Sequence, residues 1–114
     1  IEEPRELVAV LTRESRPDRP ILVDCLTLWL SYVMFHDSSA EGELQKLMEL
    51  LQSNALRGPV VFVSNEIGLG VIPDNEVSRV FVDAQGELNQ LMAKLANRVV
   101  LVSAGLPQVL KDEN

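Results

Sequence analysis

Short apolar runs alternate with longer helical stretches along this chain of 114 residues. Three runs, Ile21–Asp24, Val60–Val63 and Val99–Val102, have the continuous hydrophobicity that is typical of buried parallel strands. Strands that alternate with helices predict a parallel α/β sheet, and right-handed crossovers place the helices on both of its faces. The pattern therefore predicts a three-layer α/β fold.

The stretches between the runs repeat their apolar residues at the spacing of an α-helix. They predict helices over 4–16, 25–35, 38–57 and 76–95. Gly86 lies inside the last helix, where glycine costs about 1 kcal/mol relative to alanine, so we expect a close packing contact there. Residues 104–114 are predicted to be a loop and a frayed end. Neither a repeat nor an inner boundary is visible, so residues 1–114 are predicted to form a single domain.

Composition limits the classes of function. The chain is 46% hydrophobic, which is enough to bury a core, and its net charge is −7. Such a charge argues against a general nucleic-acid-binding surface, although a nucleotide needs only a few local donors. Cys25 is the single cysteine, which fits a reducing cytoplasm, and no apolar run reaches the roughly 18 residues of a membrane span. The chain opens on Ile1, and we expect an upstream region before it.

Acidic and polar residues follow the first two predicted strands, and ligands of parallel sheets bind at the carboxyl ends of strands. Asp24 ends an apolar strand as a Walker B acid does. In that role its carboxylate would hold Mg²⁺ near a phosphate. The alternative is that Asp24 only caps a strand. Glu66 lies three residues beyond Val63 and could accept a proton from an attacking hydroxyl. The alternative is a solvated loop carboxylate.

Other polar positions carry less information. Gly68 and Gly70 permit close approach of a ligand, and Asp74 or Asn75 is predicted to cap the following helix. His36 is the single histidine and is predicted to be an exposed turn residue instead of a general base. The sequence contains no G-x-x-x-x-G-K-[ST] phosphate loop, so a Walker B acid here would form half of a nucleotide site.

Several segments of the chain are distinctive when taken together. The most distinctive is the block N-E-x-G-x-G-x-x-P-[DE]-N at 65–75. The others are "IEEP" at 1–4, "ILVDCLTLWLS" at 21–31 and "GELNQLMAKLANRVVLVSAGLPQVLK" at 86–111. In these segments, in order and over nearly its whole length, the chain resembles the bifunctional adenosylcobinamide kinase / adenosylcobinamide-phosphate guanylyltransferases of cobalamin biosynthesis.

The resemblance implies a P-loop NTPase-like (RecA-like) fold, here without its N-terminal strand and phosphate loop. Members phosphorylate the aminopropanol hydroxyl of adenosylcobinamide with ATP or GTP. They then transfer GMP from GTP to that phosphate through a guanylylated histidine. In the family that histidine and the phosphate loop lie upstream of "IEEP", and His36 does not match the nucleophile. The chain thus resembles the carboxyl-terminal two-thirds of the enzyme, and we expect it to be inactive alone.

The resemblance also implies roles for individual residues. Glu2 and Asp24 match nucleotide-binding acids, with Mg²⁺ held at Asp24 directly or through water, and Glu66 is the candidate catalytic residue. The implied substrate cleft consists of Asn65, Gly68, Gly70 and Pro73. Val82 departs from the family, which commonly has arginine there.

The implied partners are a nucleotide and a corrinoid, with no nucleic acid. The implied assembly is a homo-oligomer, a trimer, whose contacts would involve the helix around Trp29 and the long helix from Glu76. A different class of function stays open at this stage: a non-catalytic α/β interaction or assembly module whose acids are only caps and surface charge.

Overall fold

The computed structural model describes residues 6–36, 40–66 and 75–113. Four helices and four strands, two of them a parallel pair, lie in these ranges, which confirms the α/β class. The helices are α1 (Leu7–Glu14), α2 (Leu26–His36), α3 (Ala40–Gln52) and α4 (Glu76–Leu95). The strands are β1 (Ile21–Asp24), β2 (Val60–Val63), β3 (Arg98–Ser103) and β4 (Leu106–Asp112). The first and third helices are shorter than predicted, because α1 ends where Ser15 becomes extended and α3 ends at Gln52.

β1 and β2 form a parallel pair with the bounds that the sequence predicted. Their register joins Ile21 to Val60 and Asp24 to Val63, so the two strands end level with each other. Alternate residues of each strand are half-buried and exposed. The pair therefore has one face against the helices and presents its two carboxyl ends at one edge.

The end of the chain was predicted wrongly. Leu106–Asp112 is not a loop but the strand β4, which pairs with β3 in antiparallel fashion. The turn between them uses Ala104 and Gly105 at φ values of 52° and 76°, the positive angles that tight two-residue hairpin turns require. Among the described residues, β3–β4 and β1–β2 are separate two-stranded sheets, so the sheet structure is not all parallel.

All four helices contribute to one hydrophobic core. Alternate residues of β1 and β2, such as Val23 and Phe62, pack against it. The opposite face of these strands carries exposed apolar side chains, with Leu22 65% and Val61 57% exposed. Within the described ranges the helices thus form one layer on one face of the β1–β2 pair. The core consists of Leu7, Leu11, Leu26, Trp29, Leu30, Val33, Leu47, Leu88 and Met92.

Trp29 lies on the buried side of α2. Its side chain is only 4% exposed and belongs to the core, so any subunit contact of this helix would use its other side. The exposed apolar residues of α2 are Leu28 and Phe35.

Two glycines give a matched pair for a stability test. A Cβ at Gly58 would overlap the carbonyl oxygen of Arg16, whereas a Cβ at Gly86 would meet nothing within 4 Å among the described residues. The close packing contact predicted at Gly86 is therefore wrong. We expect Gly58→Ala to lower the free energy of unfolding by about 1–3 kcal/mol, because backbone must shift. Gly86→Ala should raise it by about 1 kcal/mol, the helix-propensity difference. Urea unfolding of the complete gene product checks both, and equal effects at the two sites would contradict this packing.

Candidate active site

The ends of the two parallel strands bring the candidate acids to one edge of the sheet. Asp24 is the last residue of β1 and lies opposite Val63, and Asn65 and Glu66 lie two and three residues after the end of β2. The side chains of Asp24, Asn65 and Glu66 are all exposed. The structure therefore places these three residues where ligands of parallel sheets bind.

The first turn of α2 links the two strand ends. Thr27 lies three residues after Asp24, and its Oγ1 accepts a hydrogen bond of 2.9 Å from the backbone N–H of Asn65. The segment after β2 is thus tied to the segment after β1. The contact joins elements that are 38 residues apart in sequence.

Three polar side chains form a closed hydrogen-bonded ring beneath Asn65. Gln85 of α4 donates through Nε2 to Ser64 Oγ and to Asn89 Oδ1, both at 2.9 Å, and Ser64 Oγ donates to Asn89 Oδ1 at 2.6 Å. Asn89 Nδ2 then donates to the carbonyl oxygen of Asn65 at 3.1 Å. We call Ser64, Gln85 and Asn89 the polar ring. It fixes the chain after β2 against α4.

Sequence reasoning missed the polar ring, although a signal was present. The apolar face of α4 repeats through Phe81, Leu88 and Met92, and Gln85 interrupts it at a position that should be apolar. Gln85 is only 1% exposed, and its Oε1 has no hydrogen-bond partner in the part of the chain that the structure describes. A buried polar residue on an apolar stripe has to find partners, and here they lie at the strand end.

The carboxylate at this edge suits Mg²⁺ better than it suits a metal ion whose ligands all come from protein side chains. No group of three or more His, Cys, Asp or Glu side chains comes together among the described residues. The Asp24 carboxylate is exposed and shows neither a hydrogen bond nor an ion pair within 6–36, 40–66 and 75–113. Mg²⁺ is commonly held by one or two carboxylates together with substrate phosphates and water. One free carboxylate at a strand end fits that pattern.

An open groove of about 900 Å³ runs along β1 and reaches Asp24 and Cys25. Most of its wall is apolar, from residues of α1, β1 and α2 that include Leu11 and Trp29. Asn65 and Glu66 do not line it. A triphosphate needs many polar donors, so this groove does not form the nucleotide site by itself.

One secondary expectation is confirmed and a second is confirmed in part. Asn75 caps α4, since its side chain accepts a hydrogen bond of 2.8 Å from the N–H of Ser78. His36 is exposed, although it is the last residue of α2 and not part of a turn, and its ring stacks on Tyr32.

The predicted site residues Glu2, Gly68, Gly70 and Pro73 lie outside the described residues, as does Asp74.

A family comparison decides the relationship that these features suggest. The profile of the family described as "Cobinamide kinase / cobinamide phosphate guanyltransferase" matches residues 1–110. The chain belongs to this family. The resemblance read from the sequence is thereby confirmed, and membership does not favour the alternative of a non-catalytic module.

Individual relatives agree with this assignment. The chain is 45% identical over 115 residues to the "Bifunctional adenosylcobalamin biosynthesis protein CobP" of Pseudomonas aeruginosa, covering 99% of this chain and 65% of that protein. It is 31% identical over 120 residues to the "Bifunctional adenosylcobalamin biosynthesis protein CobU" of Salmonella typhimurium, covering 94% and 66%. The chain thus spans just under two thirds of the length of these relatives. Of the helices that the structure describes, none combines the length and hydrophobicity needed to cross a membrane.

Proposed function

We propose that the complete gene product containing these residues is an adenosylcobinamide kinase and adenosylcobinamide-phosphate guanylyltransferase of cobalamin biosynthesis. The observation that carries the proposal is the family match over residues 1–110, which includes both strand ends with their acids. In the first step the aminopropanol hydroxyl attacks the γ-phosphorus of ATP or GTP, and ADP or GDP leaves. In the second step GMP from GTP joins the new phosphate, and pyrophosphate leaves.

Asp24 is the proposed magnesium-binding acid. Its carboxylate is exposed at the end of β1, and within the described ranges no cation of the protein neutralises it. A magnesium ion bound with the nucleotide would neutralise charge on the phosphates. Asp24 would orient that ion directly or through a water molecule, so both steps should depend on it.

Glu66 is the proposed general base of the kinase step. Alcohol hydroxyls ionise far above neutral pH, so a carboxylate within hydrogen-bond reach would accept the proton as the oxygen attacks. The Glu66 side chain is exposed just beyond β2 and is available to a substrate at this edge. The guanylyl step attacks with a phosphate that is already ionised, so it needs no such base.

The remaining site residues have proposed roles that rest on the family resemblance. Glu2 would contact the guanine nucleotide, and Asn65 with Gly68, Gly70 and Pro73 would border the corrinoid cleft. Residues 1–114 would form one α/β domain, the carboxyl-terminal part of a P-loop NTPase-like transferase. The exposed face of β1–β2, with Leu22 and Val61, is compatible with further elements packing there.

The phosphate loop gives a direct prediction for the isolated chain. The 114 residues contain no G-x-x-x-x-G-K-[ST] segment, whose backbone amides and lysine cradle phosphates. We expect no measurable transfer from radiolabelled ATP or GTP by the purified 114-residue chain. Turnover by this chain that disappears in Asp24→Asn would contradict the prediction.

We further propose a cytoplasmic homo-oligomer, a trimer by resemblance. Exposed apolar side chains on two helices support subunit contacts: Leu28 and Phe35 on α2, and Val77 and Val80 on α4. Val82 lies on α4 where the family commonly has arginine, so a contact in this region would lack that charge.

Product analysis of the complete gene product tests the proposed function. Incubation with adenosylcobinamide, Mg²⁺ and GTP should yield adenosylcobinamide phosphate first and its guanylylated form later, identified by mass spectrometry. Omission of Mg²⁺ is the control. If the folded protein forms neither product with ATP or GTP, the proposal is wrong.

A further inference from the structure

The polar ring and Thr27 hold both peptide groups that flank Asn65. The N–H of Asn65 donates to Thr27 Oγ1 of α2 at 2.9 Å, and its carbonyl oxygen accepts from Asn89 Nδ2 of α4 at 3.1 Å. The residue that follows is Glu66. Because α2 and α4 each bind one of these two peptide groups, contacts outside β2 fix the backbone that leads into Glu66.

The polar ring leaves the Asn89 amide only one orientation. Asn89 Oδ1 accepts two hydrogen bonds, from Ser64 Oγ and from Gln85 Nε2, so its Nδ2 must point to the Asn65 carbonyl. Gln85 Nε2 in turn donates to both other members of the ring. Burial of Gln85 excludes water from this side of the ring and keeps the bonds strong.

We propose that Thr27 and Asn89 are positioning residues for the kinase step, an inference that rests on the proposed function. They hold the Asn65–Glu66 segment so that the Glu66 carboxylate lies within reach of the substrate hydroxyl. Ser64 and Gln85 act through Asn89 by fixing its amide. Neither Thr27 nor Asn89 needs to touch the nucleotide or the corrinoid for this role.

Thr27 offers a matched pair of substitutions. Thr27→Val removes the hydroxyl that accepts from the Asn65 N–H with little change in shape, and Thr27→Ser keeps it. In the complete gene product we expect Thr27→Val to lower kcat for phosphorylation of adenosylcobinamide by about 10- to 100-fold, the scale of a misplaced catalytic group. Thr27→Ser should stay close to wild type. Guanylylation of adenosylcobinamide phosphate should change by less than the kinase step in both variants.

Asn89→Asp provides an independent second variant. It keeps an oxygen for Ser64 and Gln85 but replaces the donor to the Asn65 carbonyl with a second acceptor. We expect the same selective loss of the kinase step. Ser15→Ala is the structural control, because buried Ser15 accepts hydrogen bonds from the N–H groups of Arg57 and Gly58 at the other ends of β1 and β2. It should lower thermal stability without changing the ratio of the two rates.

A double-mutant comparison gives the decisive result. In a Glu66→Gln background, Thr27→Val should cause no further loss of kinase rate, because the group that it positions is already absent. An equal fold-loss in both backgrounds, or a Thr27→Val protein with an unchanged ratio of the two rates, would overturn the positioning role alone. A folded wild-type protein with neither activity would instead overturn the proposed function, and this inference with it.

Discussion

Replacement of Asp24 by asparagine in the complete gene product is expected to lower both the kinase and the guanylyltransferase rates by about 10²–10³-fold, the loss typical of one preorganised electrostatic group. In the proposed mechanism both steps handle nucleotide phosphates, and Asp24 would orient the Mg²⁺ that neutralises their charge. Folding should be unaffected, because the Asp24 side chain is exposed and shows no polar partner among the described residues. Steady-state rates over a Mg²⁺ titration measure the effect.

The matched control is Asp18→Asn. Asp18 is an exposed aspartate in the turn before β1, at the opposite end of the strand from Asp24. The same loss of one negative charge at this position should leave both rates near wild type. If Asp24→Asn also keeps near-normal rates at every Mg²⁺ concentration, Asp24 only ends a strand.

Glu66→Gln is expected to separate the two activities. The amide cannot accept the hydroxyl proton, so phosphorylation of adenosylcobinamide should fall by about 10²–10⁴-fold, the usual contribution of a general base. Guanylylation of adenosylcobinamide phosphate should fall less, because its nucleophile is ionised. Separate assays of each step with purified corrinoid substrates measure the two losses.

Glu87→Gln is the control for the loss of charge in that experiment. Glu87 is an exposed residue of α4 for which the described ranges show no hydrogen bond or ion pair. Both rates should be unchanged. Equal losses of the two steps in Glu66→Gln would point to a role in loop or metal geometry, and no loss would make Glu66 a solvated loop residue.

The predictable part of the fold is the part with continuous apolar runs. Ile21–Asp24 and Val60–Val63 were predicted with the bounds that the structure shows, because a proline precedes each run and the polar residues Asp24 and Ser64 mark where the apolar runs stop. β4 was missed because its side chains are nearly all exposed and carry no apolar period, and because Pro107 argues against a strand. The dipeptide Ala104–Gly105 was the available signal for the hairpin turn.

Part of the candidate site could also be predicted from the sequence, and part of it could not. Parallel strands present their carboxyl ends at the same edge of a sheet, so the common edge of Asp24 and Glu66 could be predicted from the sequence, whereas the register that makes the two ends level could not. The contacts of Thr27 and the polar ring could not, because they join α2, β2 and α4 across 21 to 38 residues of chain. Such contacts depend on how the helices and strands pack together, so they cannot be predicted from the spacing of residues along the sequence.

One side-by-side measurement tests the central claim that this sheet edge performs phosphoryl transfer to a corrinoid. Transfer of ³²P from [γ-³²P]GTP to adenosylcobinamide, and of GMP from [α-³²P]GTP to adenosylcobinamide phosphate, would be followed with wild type, Asp24→Asn and Glu66→Gln. We predict that wild type performs both, that Asp24→Asn loses both, and that Glu66→Gln loses mainly the first. Wild-type rates of both transfers in the two variants would contradict the claim.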